Sequence, residues 1–137
     1  MMNARELLLA YTDNIADPEV TSSLFAEDGV LELPYLESIG LPTRTVGPEA
    51  IREFMTGLFQ VVPGFSFDTV DILIETEDQV FGEWSVKRTT TTGRPFSQTY
   101  AGRLVAENGK IKLLRESLDL VRAARAMLPN GVADIPA

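Results

Sequence analysis

The stretch Gly109-Lys110-Ile111-Lys112-Leu113-Leu114-Arg115-Glu116-Ser117-Leu118-Asp119 has the pattern of a strand and contains one residue that breaks this pattern. Successive side chains of a strand point to opposite faces, so Leu114, Glu116 and Leu118 share one face. That face is apolar apart from the carboxylate. A carboxyl group in apolar surroundings has a raised pKa and can act as an acid or a base near pH 7. Glu116 is therefore the first candidate for a catalytic residue.

This stretch is the last of four consecutive predicted strands, which span residues 66–75, 79–91, 95–106 and 110–120. The connections between them are short and turn-like, and they include Thr92-Gly93-Arg94 and Glu107-Asn108-Gly109. Short connections of this kind join neighbouring antiparallel strands. The second half of the chain is therefore predicted to form an antiparallel meander.

The first half of the chain is predicted to be mainly helical. The predicted helices span about residues 4–14, 17–25 and 48–61, with a short strand at 30–33, a loop at 35–46 and a helical tail through Met127. Helices followed by an antiparallel sheet are typical of the α+β class. We expect one domain over residues 1–137, with a cone-shaped curved antiparallel sheet and three N-terminal helices over its concave face. Such a cone leaves an apolar pocket with an open mouth.

Composition excludes several classes of function. The 137 residues have a net charge of -8, which disfavours binding to nucleic acid or to an anionic membrane surface. The chain has no His and no Cys, which disfavours a zinc site, excludes a thiolate nucleophile, and leaves only a hard, oxygen-ligated ion as a possible metal. We expect neither a metal nor a cofactor. Acidic residues follow the first methionines closely and no long apolar run is present, so we expect a cytoplasmic protein without a signal peptide.

Three segments of the sequence resemble a known superfamily. They are Leu24-Phe25-Ala26-Glu27-Asp28-Gly29-Val30, Val46-Gly47-Pro48-Glu49-Ala50-Ile51-Arg52-Glu53-Phe54, and Gly109-Lys110-Ile111 leading to Arg115-Glu116. Over about residues 4–125 the chain resembles the nuclear-transport-factor-2-like superfamily, which includes steroid delta-isomerases and SnoaL-like polyketide cyclases. The resemblance implies the cone fold. It leaves the activity open, because the same fold is used by isomerases, cyclases, dehydratases, epoxide hydrolases, lyases and non-catalytic binding modules.

The steroid isomerases differ from this chain at their acidic residues. Their general base is an aspartate before a proline, and Leu33 stands at the matching position. Their second carboxyl group matches Ala101, and their oxyanion tyrosine lies near, but offset from, Tyr11. The resemblance therefore argues against classical steroid isomerisation.

The closer resemblance is to the phenazine-biosynthesis A/B proteins. In that family the glutamate of the Arg-Glu pair is the proposed general acid, and it corresponds to Glu116. The histidine and serine on the family's long helix correspond to Phe54 and Leu58. A proton-transfer role for Glu116 is thus implied, whereas the family's substrate is not.

We expect Tyr11 to be a catalytic residue that donates its hydroxyl hydrogen in the pocket, with Glu116 as its partner. The alternative is that Tyr11 is an ordinary core aromatic. The residues expected to contact the ligand come from the first strand, the long helix and the sheet: Leu33, Tyr35, Phe54, Leu58, Trp84, Gln98, Tyr100, Arg103, Leu114 and Leu118. Trp84 faces either ligand or core. Arg103 faces outward unless a bulge turns it inward, and a bulge would likewise move Glu116 out of the pocket.

These expectations lead to one main hypothesis and two alternatives. The main hypothesis is an enzyme that moves a proton within an apolar aromatic or cyclic small molecule, by isomerisation, cyclisation, dehydration or lyase chemistry. The first alternative is a non-catalytic binding or dimerisation module. The second is epoxide hydrolysis, which on this fold uses an Asp-Arg-Asp constellation around one water, and for which carboxylates among Glu32, Asp71 and Glu116 would have to converge. Apolar residues on the outer sheet face, Phe81, Val105 and Leu113, predict a homodimer.

Overall fold

The computed structural model describes residues 1–137 and contains four α-helices and six strands. The helices are α1 (Ala4–Asp13), α2 (Pro18–Ser23), α3 (Pro48–Val61) and α4 (Leu120–Met127). The strands are β1 (Phe25–Glu32), β2 (Arg44–Val46), β3 (Thr69–Glu75), β4 (Gln79–Thr89), β5 (Pro95–Glu107) and β6 (Lys110–Leu118). Two 3-10 helices, Pro34–Ile39 and Gly131–Asp134, complete the structure. None of the helices combines the length and the apolar character needed to cross a membrane.

All six strands form one curved, open sheet in the order β2-β1-β6-β5-β4-β3. Strands β3 to β6 pair as the antiparallel meander predicted from their short connections. The α+β prediction is confirmed, with one difference in the sheet. Strand β1 runs parallel to β6, so the sheet is mixed rather than wholly antiparallel.

The N-terminal helix is fixed by a reciprocal cap. The side chain of Asn3 accepts from the backbone N–H of Glu6 at 2.9 Å, and the Glu6 carboxylate accepts from the backbone N–H of Asn3 at 3.0 Å. This arrangement satisfies two of the free N–H groups at the start of a helix. Leu7, Leu8 and Tyr11 follow on the buried side of α1. The cap therefore sets the register in which Tyr11 points into the molecule.

The largest difference from the predicted elements lies between residues 25 and 46. Strand β1 begins at Phe25 rather than near residue 30, and the predicted loop contains a 3-10 helix and the short strand β2. Strand β2 has only three residues, which is too short for period-2 alternation to indicate it. Its pairing with β1, where Val30 faces Val46, is a tertiary contact that local sequence does not encode.

The core fills the space between the helices and the concave face of the sheet. It is a single cluster of buried side chains that includes Leu7, Ile51, Met55 and Leu104. The register of β5 and β6 shifts between Val105 and Ala106. On the N-terminal side of this shift in β5, Gly102 pairs with Glu116, and the side chain of Glu116 is buried on the core side of the sheet, in phase with Leu114.

Candidate active site

A cavity of about 300 Å³ lies between the concave face of the sheet and helices α1, α3 and α4. Sixteen of its nineteen lining residues are hydrophobic. Glu116 is the only lining residue with a carboxyl group, and the hydroxyl groups of Tyr11 and Tyr100 are the other polar functions. The cavity is therefore an apolar chamber with one acid and two hydroxyl groups.

Glu116 is buried, with 3% of its surface exposed, and both of its oxygens have a hydrogen-bond donor. The indole Nε1–H of Trp84 donates to Oε2 at 2.9 Å. The hydroxyl of Tyr11 donates to Oε1 at the longer distance of 3.5 Å. The carboxyl group is thus held at one oxygen and only loosely bound at the other.

The surroundings change the acidity of all three polar groups. Burial raises the pKa of Glu116 from 4.5 to about 7, although the hydrogen bonds from Trp84 and Tyr11 oppose this rise. Burial, together with the nearby charge of Glu116, raises the pKa of Tyr11 and of Tyr100 above 10. Near neutral pH the two tyrosines are therefore neutral hydrogen-bond donors, while Glu116 is present in both its protonated and its charged form.

Seven of the twelve predicted site residues line this cavity. They are Tyr11, Leu33, Phe54, Leu58, Tyr100, Glu116 and Leu118. They come from α1, the residue that follows β1, α3, β5 and β6, so the fold gathers residues far apart in the sequence. The other five predicted residues, Tyr35, Trp84, Gln98, Arg103 and Leu114, do not line it.

Tyr35, Arg103 and Leu114 lie away from the cavity for different reasons. Tyr35 lies on the 3-10 helix after β1 and is 51% exposed. Arg103 faces outward because the register shift in β5 comes after Val105, and its guanidinium donates to the Gln79 side chain at 3.3 Å. Leu114 shares the inner face with Glu116 but is fully buried in the core.

Trp84 and Gln98 support the cavity wall from behind. Trp84 is 1% exposed and contacts the carboxyl group of Glu116 through its indole N–H. The amide of Gln98 bonds both backbone groups of Asp119, the residue that precedes α4. Both side chains therefore act on the site through other residues.

Sequence reasoning missed Phe65 and Phe67, which form an aromatic wall of the cavity together with Phe96. The ring of Phe67 packs edge-on against Tyr100 with centroids 5.9 Å apart, and Phe65 packs against Phe96 at 5.8 Å. Phe65 and Phe67 are two residues apart, just before β3. Extending the period-2 pattern back from this strand places both rings in phase with Thr69 and Asp71, which are exposed, so alternation alone would not have found them.

Outside the cavity, the Asp and Glu side chains form no cluster that could serve as a second site. No group of three or more acidic residues is arranged to hold a metal ion. Glu32 forms an ion pair with Arg115 at 3.5 Å, and Asp71 is exposed. The three-carboxylate arrangement considered for epoxide hydrolysis is therefore absent.

Comparison with known proteins gives one family and many similar structures. Residues 7–114 match the SnoaL-like domain. A candidate isomerase from Bacillus subtilis is 23% identical, with a TM-score of 0.79 over 90% of this chain and 91% of that one. A phenazine biosynthesis-related protein from Pseudomonas aeruginosa is 19% identical, with a TM-score of 0.75 over 97% and 86% of the two chains.

A third similar structure was co-crystallised with a ligand. TerC, crystallised with polyporic acid, is 21% identical, with a TM-score of 0.75 over 89% of this chain and 95% of that one. At these identities the structural matches establish a shared fold. A search of functionally curated proteins finds no match to the sequence.

Proposed function

This chain belongs to the family of SnoaL-like domains, and from that premise we propose that it is an enzyme that moves a proton within a neutral aromatic or cyclic small molecule. Glu116 is the proposed acid and base. The single observation that supports this most is its position as the only carboxyl group of an otherwise apolar cavity, with a pKa raised to about 7. A general acid or base is most effective when its pKa is close to the working pH.

The lining residues indicate the class of ligand. No Lys or Arg lines the cavity, so a carboxylate or phosphate would have no partner there and would meet the charge of Glu116. Aromatic rings favour flat ligands, because rings pack well in stacked and edge-on arrangements. The volume of about 300 Å³ is at the lower end of the range for small-molecule sites. The proposed ligand is a neutral molecule of two or three rings.

The proposed chemistry uses Glu116 in both protonation states. The carboxylate removes a proton from a carbon next to a carbonyl group, and the resulting acid returns the proton to another atom. A hydroxyl of Tyr11 or Tyr100 donates to the carbonyl oxygen as negative charge develops on it. Isomerisation, aldol-type cyclisation and dehydration share this removal of a carbon-bound proton. In retro-aldol cleavage Glu116 instead removes the hydroxyl proton, the carbon–carbon bond breaks, and the resulting enolate is protonated at carbon.

The experiment uses 2-tetralone, a neutral bicyclic ketone with acidic carbon-bound hydrogens. Exchange of these hydrogens for deuterium in D₂O is followed by NMR with wild-type protein and with Glu116→Gln. We expect the variant to keep binding while the exchange rate falls about 10²-fold or more, as loss of a general base usually causes. Glu83→Gln is the matched control, because it makes the same change at an exposed position of β4. Equal exchange rates for Glu116→Gln and wild type would disprove the proposed role of Glu116.

A non-catalytic binding function is the second candidate. It is favoured by the fact that both oxygens of Glu116 already have donors within the protein. Trp84 is the only tryptophan, and it contacts Glu116, so its fluorescence reports on ligand binding next to the carboxyl group. Binding of 2-tetralone without exchange above the buffer rate would favour this candidate.

We also propose that the protein forms a homodimer through the outer face of the sheet. Phe81, Val105 and Leu113 on this face are only half-buried. Nearby on β3, Leu73 and Ile74 are 54% and 68% exposed. Sedimentation analysis of wild type and of Phe81→Arg tests this proposal, which predicts a dimer and a monomer respectively.

A further inference from the structure

Trp84 reaches Glu116 across a glycine. Trp84 lies on β4 and Glu116 on β6, with β5 between them. On β5, Gly102 is the direct partner of Glu116. A Cβ atom at position 102 would collide with Cζ2 and Cη2 of the Trp84 ring. The indole therefore extends over Gly102 to the carboxyl group, and any larger residue at this position would require the indole to move.

The contact distinguishes the two carboxyl oxygens chemically. An indole N–H can donate a hydrogen bond but cannot accept one. The 2.9 Å contact therefore makes Oε2 an acceptor in both protonation states of Glu116. In the neutral acid, the oxygen that is free to hold the proton is Oε1, which lies beside the hydroxyl of Tyr11.

We propose that Trp84 is a positioning residue, which holds Oε2 of Glu116 across Gly102 so that the transferable proton is placed on Oε1, next to Tyr11 and the cavity. This inference rests on the proposed function of Glu116 and adds which oxygen exchanges the proton. Tyr11 lines the cavity whereas Trp84 does not, so we assign the oxygen beside Tyr11 to the ligand side and the oxygen held by Trp84 to the core side.

The neighbours of Glu116 leave Trp84 as the strongest directional contact. The titratable groups that face the carboxyl group are Tyr11 from α1 and Tyr100 from β5, and both stay neutral near pH 7 because burial raises their pKa. The adjacent Arg115 faces outward, toward Glu32. No charged side chain therefore competes with the indole for the orientation of the carboxyl group.

The first test needs only the folded protein, because Trp84 is the sole tryptophan and gives a single indole N–H signal in a ¹⁵N-labelled sample. We expect this signal to shift through one transition near pH 7 in the wild type and to show no such transition in Glu116→Gln. An indole signal that does not titrate, or that titrates identically in both proteins, would overturn the proposal.

The second test removes the donor with Trp84→Phe. A hydrogen bond to the charged form of an acid lowers its pKa, so the pKa of Glu116, measured by ¹³C NMR of labelled carboxyl groups, should rise by about one unit or more. Val80→Ala is the matched control, because it removes buried volume from the same strand without touching Glu116. An unchanged pKa in Trp84→Phe, or an equal rise in Val80→Ala, would contradict the proposal.

A third variant moves the indole without changing it. Gly102→Ala places a methyl group in the path of the ring, so we expect the indole signal to lose its titration while the pKa of Glu116 rises as in Trp84→Phe.

With a substrate that exchanges its hydrogens, Trp84→Phe should lower kcat and leave KM nearly unchanged. These NMR readouts involve no turnover, so they stand even where Glu116→Gln shows that the proposed catalysis is wrong.

Discussion

Gln98 on β5 holds the start of α4 by pairing with both backbone groups of Asp119. Its Nε2 donates to the Asp119 carbonyl oxygen at 2.9 Å, and its Oε1 accepts from the Asp119 N–H at 2.8 Å. At the other end of α4, the guanidinium of Arg94 donates to the carbonyl oxygens of Leu128 and Pro129. Since Ala123 and Met127 of α4 line the cavity, these contacts fix one of its walls.

Replacement of Gln98 by methionine should destabilise the protein. Methionine keeps the size of the side chain but removes the donor and the acceptor, and the loss of such paired bonds typically costs about 2 kcal/mol in total. We expect a fall of that size in the free energy of unfolding, measured with urea. Ligand binding should weaken as well, because α4 loses its attachment to β5.

The control for Gln98 is Gln79→Met on β4. Gln79 is exposed, and its only side-chain bond is the 3.3 Å contact with Arg103, so this change should cost less than about 0.5 kcal/mol. Equal losses for the two variants would mean that the paired bonds to Asp119 contribute nothing specific.

The raised pKa of Glu116 predicts a pH dependence of stability. The pKa is 4.5 in ordinary surroundings and about 7 in the folded protein. Between these values the folded state binds more protons than the unfolded state, so the contribution of Glu116 to stability is full below pH 4.5 and is lost as the pH rises through 7. Between pH 5 and pH 8 this loss amounts to roughly 2–3 kcal/mol.

Urea unfolding of wild type and Glu116→Gln at pH 5 and pH 8 isolates this effect. All other titrating groups are common to both proteins, so the difference between them reports on Glu116 alone. We expect the glutamine variant to gain roughly 2–3 kcal/mol relative to wild type over this interval. A difference that does not change with pH would mean that the carboxyl group titrates alike in the folded and unfolded states.

The sequence predicted the inward face of Glu116 because alternation along a strand is a local property. The same alternation placed Arg103 outward, as observed, and left open only whether a bulge would reverse it. The roles of Trp84 and Gln98 were not predictable in this way. Each acts on a residue of another strand or helix, and those pairings depend on strand order and on the absence of a side chain at Gly102.

Tyr11→Phe separates catalytic from packing roles of the tyrosine. The ring stays in the core of α1, so we expect little change in stability. The hydroxyl is one of the two proposed donors to the developing oxyanion, and loss of the donor typically lowers the rate by about 10²-fold. The measurement is deuterium exchange into 2-tetralone, with kcat falling more than KM changes. Wild-type exchange in this variant would rule out Tyr11 as the donor and leave Tyr100 as the proposed one.

Gly57, in the middle of α3, lines the cavity and offers a stabilising substitution. A Cβ atom at this position would meet nothing within 4 Å, and alanine is favoured over glycine inside a helix by roughly 1 kcal/mol. We therefore expect Gly57→Ala to raise the free energy of unfolding by about that amount. Gly64→Ala is the matched control, because its surroundings are equally open but its φ of 70° disfavours a side chain. That variant should be less stable than wild type, so the same methyl group should have opposite effects at two positions that differ in backbone conformation. A higher free energy of unfolding in both variants would show that local space rather than φ decides the outcome.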